Sequence, residues 1–183
     1  MGHDVIVGGT GMLKDVSIWL ASQGNHLTVI GRNHDRLLQL EREVPDSGNL
    51  NLLSLDYHNV DQLTNAVLQA IKVHGPVSRA VVWMHSTAND ALQALVDCLS
   101  STVQDTWSLY HVLGSAASRP NAVTRPELRG NCHYHEIILG FNMRSGISRW
   151  LTHNEISTGV IHALEHEARE TIVGIVEPWE KRP

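Results

Sequence analysis

Hydrophobic positions along the chain alternate between two patterns. Short β-branched runs are each followed by a stretch with apolar residues three and four apart. Asp4–Gly8 reads as a strand, and 11–23 as a helix carrying Leu13, Val16, Ile18 and Leu20, stopped by Gly24-Asn25. His26–Gly31 is a second strand. Asn33 then caps a helix bearing Leu37, Leu38 and Leu40, and Pro45 to Gly48 forms a turn cluster. Leu50–Leu55 is a third strand, and Asn59 or Asp61 caps the next helix, which ends near Gly75-Pro76. Further strands are expected at 78–84, 106–114, 133–141 and 171–176, with helices at 89–101 and from Thr152 or Asn154 to about Glu167. Residues 115–132, with Pro120, Pro126 and Gly130, read as loop.

Alternating strands and helices of this length predict an α/β fold: a Rossmann-like doubly wound parallel sheet. About seven strands in the order 3-2-1-4-5-6-7 use nearly the whole chain. With 183 residues and no linker or repeat, 1–183 is expected to form a single domain. No apolar run approaches the roughly 20 residues of a membrane helix, so no membrane association is expected. The net charge of −5 and the lack of a basic stripe argue against nucleic acid as a partner. Cys98 and Cys132 fit two free thiols, and the N-terminus shows no basic region or cleavage site, so a cytoplasmic protein is expected.

Three places carry candidate chemistry. Gly8-Gly9-Thr10-Gly11-Met12-Leu13 lies between the first strand and the first helix. Small residues there let backbone approach a pyrophosphate, and a helix N-terminus favours the anion. At the end of the second strand stand Gly31-Arg32-Asn33, with Arg36 one turn on, and no acid at the tip. A guanidinium fork suits a 2′-phosphate, so NADP is favoured over NAD as the cofactor. Asp56 and Tyr57 close the third strand, where an aspartate and its flanking backbone can meet an adenine ring.

Taken together, Val5-Ile6-Val7-Gly8-Gly9-Thr10-Gly11, Val29-Ile30-Gly31-Arg32-Asn33 and Leu55-Asp56 resemble the short-chain dehydrogenase/reductase superfamily. Arg149-Trp150-Leu151-Thr152 with Glu155-Ile156 resembles the end of a compact bacterial subgroup. The resemblance spans most of the chain and is specific in its first sixty residues. It implies an NADP(H)-dependent oxidoreductase acting on a small-molecule substrate. The departures are equally plain. The loop's third glycine is missing, with Lys14 near its place, where it either adds charge near the phosphates or points to solvent. Trp83-Met84-His85-Ser86 replaces the family's Asn-Asn-Ala-Gly, and its Tyr-x-x-x-Lys pair is absent, since Tyr134 is followed by Ile138 and Tyr110 by Gly114.

With that pair missing, a proton donor must come from elsewhere. His85, after the fourth strand, is the first candidate, because histidine ordinarily titrates near neutrality. The alternative is that it packs near the nicotinamide without moving protons. Ser115 stands where the resemblance places a catalytic serine. Two readings therefore stay open: an oxidoreductase with an atypical site, or a non-catalytic NADP(H)-binding sensor or regulatory module. His162-Ala-Leu-Glu165-His166 spells an inverted zinc motif, but no third ligand segment follows and no metal is expected. His133 and His135 share a strand face and read as ordinary polar positions. The helix at 89–101 could pair with a second copy in a homodimer.

Overall fold

The computed structural model describes residues 2–44 and 47–183. Seven strands form one parallel sheet: β1 (His3–Val7), β2 (His26–Gly31), β3 (Leu50–Ser54), β4 (Val77–Val82), β5 (Trp107–Gly114), β6 (Cys132–Leu139) and β9 (Glu170–Val173). Their order is β3-β2-β1-β4-β5-β6-β9, the order expected from the alternating pattern. The strands read as near-continuous apolar runs because helices cover both faces. β1 is buried along its whole length.

Helices α1 (Lys14–Ser22), α2 (His34–Glu43) and α5 (His153–His166) pack on one face, around Ile6, Val29, Val81 and Ile137. Helices α3 (Val60–His74) and α4 (Asn89–Thr102) pack on the other, around Val5, Val7, Val82 and Leu109. Local chemistry sets the helix starts. Asn33 accepts from the Arg36 N–H at 3.0 Å. Asn59, rather than Asp61, caps α3 by accepting from Gln62. Thr152 and Glu155 close a reciprocal capping box on α5.

Several boundaries differ from the sequence expectation. The first helix begins at Lys14, not residue 11, because 11–13 are still turning out of the glycine loop. The strand expected at 133–141 stops at Leu139. Gly140 sits against the Ile175 carbonyl, where only a residue without Cβ fits. After it, Phe141–Arg144 (β7) and Ile147–Trp150 (β8) form an antiparallel hairpin absent from the sequence reading. Ser145 and Gly146 both take positive φ, 52° and 78°, as a two-residue hairpin turn requires. The last strand ends at Val173, three residues early, where Gly174 turns the chain at φ 77°. Pro45 and Asp46 of the expected turn cluster lie outside the described residues; 47–49 form a 3-10 turn.

Between β5 and β6 the crossover holds a 3-10 turn at 115–118 and no α-helix. Residues 119–131 are tied down instead. Gln93 exchanges two hydrogen bonds with the Glu127 backbone, and Asn131 donates to the Ser100 and Val103 carbonyls. Among the described residues, no helix is long and apolar enough to cross a membrane.

Candidate functional site

The glycine turn is built around two close approaches. Gly8 takes φ 79°, and a Cβ there would lie 2.9 Å from the Trp83 carbonyl oxygen. Gly9 is buried, and a Cβ on it would overlap Ser17 Oγ. Ser17, one turn into α1, donates to the Gly9 carbonyl at 2.7 Å. Ser157 on α5 donates to the Met12 carbonyl at 2.9 Å. The loop is thus pinned from two helices. No side chain caps α1, so its first-turn N–H groups keep their positive end open to an anion. Leu13 is sealed in the core and offers only backbone. Lys14 reaches Glu43 at the end of α2, at 2.8 Å.

A cleft of about 270 Å³ runs from Thr10, Gly11 and Met12 to Arg32, Asn33, Arg36 and Tyr57. Arg32 Nη1 lies 4.0 Å from Asp56 Oδ2, and both side chains are exposed. Asp56 does not line the cleft. Its Oδ1 accepts from the His58 backbone at 3.0 Å and faces the His58 ring at 2.8 Å. Those bonds, with Arg32 behind them, hold its carboxyl below the usual range. Asn33 spends its side-chain oxygen on the helix cap. Tyr57 Oη accepts from the His85 N–H at 3.1 Å, so the third strand's end holds the turn after β4.

A second cleft, about 310 Å³, opens at the ends of β5 and β6. Ser115, Gly114, Gly140, Trp83 and Trp150 line it, and Arg182 closes it. Arg182 is held by the two indoles, 5.5 Å from the Trp150 ring and 4.6 Å from the Trp179 ring. Its Nη1 donates to Ser115 Oγ at 3.5 Å. The tail reaches this edge because Phe141 and Ile175 exchange backbone hydrogen bonds of 2.8 and 2.9 Å.

No protein-family model matches the chain, and no curated protein matches its sequence. Solved structures do match. A short-chain dehydrogenase/reductase from Brucella melitensis superposes with a TM-score of 0.72 at 11% identity, over 95% of this chain and 94% of its own. One from Burkholderia phymatum, solved in complex with NAD, has a TM-score of 0.72 at 11% identity, over 97% and 89%. The Escherichia coli serine dehydrogenase has a TM-score of 0.67 at 15% identity, over 94% and 96%. The fold is that of the short-chain dehydrogenases.

Within that fold, a third cavity of about 370 Å³ lies between the ends of β4 and β5, beside α4. It shares Trp83, Gly114 and Ala116 with the second cleft. His85 stands at its rim, exposed, with Nδ1 3.2 Å from Thr87 Oγ1. His111, 3% exposed, also lines the cavity. Its Nδ1 lies 2.9 Å from Tyr134 Oη. Glu136 stands beside Tyr134 and is clasped by Arg125 through two guanidinium nitrogens. Burial pushes the His111 imidazole down to about 4. Burial also works to raise the Glu136 carboxyl, but Arg125 and Tyr134 more than offset it, so the net direction is down.

Sequence reasoning missed Ser17, His111 and Arg182, and quoted Trp83 and Trp150 only as parts of longer segments. Ser17 and His111 had no motif to mark them, and Arg182 is brought in by the tail. His162, Glu165 and His166 cluster with ligand atoms within 4.8 Å, all exposed at the C-terminal end of α5. His133 and His135 part company: the first is exposed, the second is buried and stacked on Tyr110 at 4.3 Å.

The loop geometry makes a sharp prediction. Gly9→Ala should destabilise the fold by about 2 kcal/mol, since the new methyl meets Ser17 Oγ and, at 2.9 Å, Ile6 Cγ2. Gly11→Ala meets nothing within 4 Å and should stay within about 0.5 kcal/mol. Urea unfolding of both variants checks this; equal stabilities would contradict the packing described.

Proposed function

We propose that the chain is an NADP(H)-dependent oxidoreductase acting on a small-molecule substrate. The observation that carries this is the glycine turn leading into the uncapped start of α1, which lines one cleft together with Arg32 and Arg36. The backbone of Gly8 to Leu13 receives the pyrophosphate. Arg32 and Arg36 take the 2′-phosphate, with Arg32 drawing partly away from Asp56. Asn33 and Tyr57 frame the adenosine end, with Asp56 outside the cleft beside Arg32. The nicotinamide end falls at the second cleft, by Ser115 and the Trp150–Arg182 stack. When bound, the cofactor supplies or accepts a hydride. The chain's own residues orient the ligand and handle the proton, with His85 and Ser115 at the rims of the two clefts. Two half-buried free thiols, Cys98 and Cys132, suit the reducing environment of the cytoplasm.

Calorimetric titration with NADPH, NADP⁺ and NADH, each alone, tests the reading. NADPH should bind well ahead of NADH. Arg32→Ala should weaken NADPH by roughly ten- to a hundredfold, the worth of one or two charge-assisted hydrogen bonds, and leave NADH nearly unchanged. Failure of all three nucleotides to bind would end the proposal.

A further inference from the structure

The polar group on the α4 side of the sheet lies outside the cleft beside the glycine turn. His111, Tyr134 and Glu136 sit in register on β5 and β6, on a face otherwise apolar. Arg125 comes from the irregular crossover, which replaces a helix on this face. His111 and Glu136 are buried and Tyr134 half-buried, with Arg125 closing over them from the exposed side, and such groups cost stability unless each is satisfied. They are satisfied in a chain with a direction. Arg125 keeps Glu136 ionised, so Glu136 can only accept. Glu136, ionised and beside Tyr134, attracts the phenol proton, so the phenol oxygen, 2.9 Å from His111 Nδ1, accepts from Nδ1–H. His111 Nε2 then carries the lone pair. It has no protein partner among the described residues, and it is not one of the sealed, unbonded atoms of the interior. The group therefore ends in one imidazole lone pair at the wall of the 370 Å³ cavity.

The rest of that wall selects the ligand. Trp83, Leu92, Leu113 and Val123 offer apolar surface, and the volume is at the small end for ligand pockets. The cavity adjoins the proposed nicotinamide cleft at Trp83, Gly114 and Ala116.

We infer that His111 is the proton-transfer residue for a small apolar alcohol or its carbonyl partner, one ring or a short chain, held in this cavity, with Tyr134 and Glu136 as its positioning residues. This rests on the oxidoreductase reading above. In the oxidation direction the alcohol loses its carbinol hydrogen as hydride to NADP⁺. Its hydroxyl proton passes to Nε2, and the carbon–oxygen double bond forms. Burial disfavours the resulting imidazolium, and the Glu136 carboxylate offsets part of that cost. In reduction every transfer runs backwards, and Nε2–H returns the proton to the alkoxide.

Benzyl alcohol and toluene serve as probes, with ¹⁵N-histidine-labelled protein read by NMR. The His111 signals are assigned by their loss in His111→Gln. Benzyl alcohol should shift the Nε2 resonance and toluene should not, since only the hydroxyl can reach the lone pair. Tyr134→Phe should keep the fold, blur the tautomer preference seen at the two ring nitrogens, and weaken benzyl alcohol about tenfold, one hydrogen bond's worth. Toluene binding should be unchanged in that variant. Equal shifts from both probes, or none from either, would overturn the inference. So would an unchanged tautomer signature in Tyr134→Phe. NADPH calorimetry on the same samples separates the two levels. Nucleotide binding with a silent His111 defeats only this inference, whereas a responsive His111 without nucleotide binding defeats the oxidoreductase reading.

Discussion

Replacing Arg79 with leucine should cost about 4 kcal/mol, the largest single-residue effect expected in this protein. Asp4 lies in β1 at 1% exposure, directly beside Arg79 in β4. Two guanidinium nitrogens clasp its carboxylate, at 2.7 and 3.2 Å, and Asn25 adds a third bond at 3.2 Å. Arg79 itself lies 5.7 Å from the Trp19 ring centroid. Removing the arginine strands a charge that water cannot reach. The cost comes from that stranded charge rather than from the lost attraction, because an ion pair gains little over apolar packing once desolvation is counted. The double variant Asp4→Asn, Arg79→Leu should therefore recover much of the loss. Urea unfolding at neutral pH measures both. If the double variant is no more stable than the single one, this account of the pair is wrong. The pair sits at the start of the strands, away from the clefts, so nucleotide affinity should not change in either variant.

Acidification should weaken the fold by roughly 3 kcal/mol through His111 alone, mostly between pH 6.5 and 4. Burial holds the folded imidazole at about 4, while the unfolded chain titrates near the ordinary 6.5. As pH falls through this window the unfolded state takes up the proton first. Its contribution to stability is therefore complete above 6.5 and lost on the way down to 4. Glu136 pulls the value up and Arg125 pushes it down, both within the same cluster. His3, lowered chiefly by burial, acts with the same sign. Glu136 adds to the loss only at lower pH, since its carboxyl is held below the usual range. The check is the urea midpoint against pH for the wild type and for His111→Gln. The variant should show a flatter slope over the window, and parallel slopes would remove His111 as the source.

The order of the seven-stranded sheet was legible in the chain because buried parallel strands and amphipathic helices have different periods. The cap at Asn33 was legible because a helix start needs a side-chain acceptor at one position, whereas Asn59 over Asp61 and Thr152 over Asn154 were decided by the structure. The hairpin at 141–150 was not read, although Ser145-Gly146 is a usable turn signal, because the apolar run 133–141 hid the break at Gly140. What ends β6 there is a backbone carbonyl from residue 175, a contact invisible in local sequence.

The same division holds for the site. The glycine turn and the arginines after β2 were visible because they are local objects: one loop, one helix end and a guanidinium nearby. Asp56 was visible as a residue, but its commitment to His58 was not, since either direction of its side chain suits the same sequence. The second cleft depends on Arg182, held between two tryptophans from separate segments. The His111 group joins β5, β6 and a crossover loop, each residue of which reads alone as an ordinary polar position. The sequence by itself determined the alternation, the sheet order, the Asn33 cap and the glycine turn, because these rest on periodicity and nearest-neighbour chemistry. Tertiary structure alone decided which polar side chains were buried and which partners satisfied them, because burial and charge pairing depend on what distant segments bring into contact.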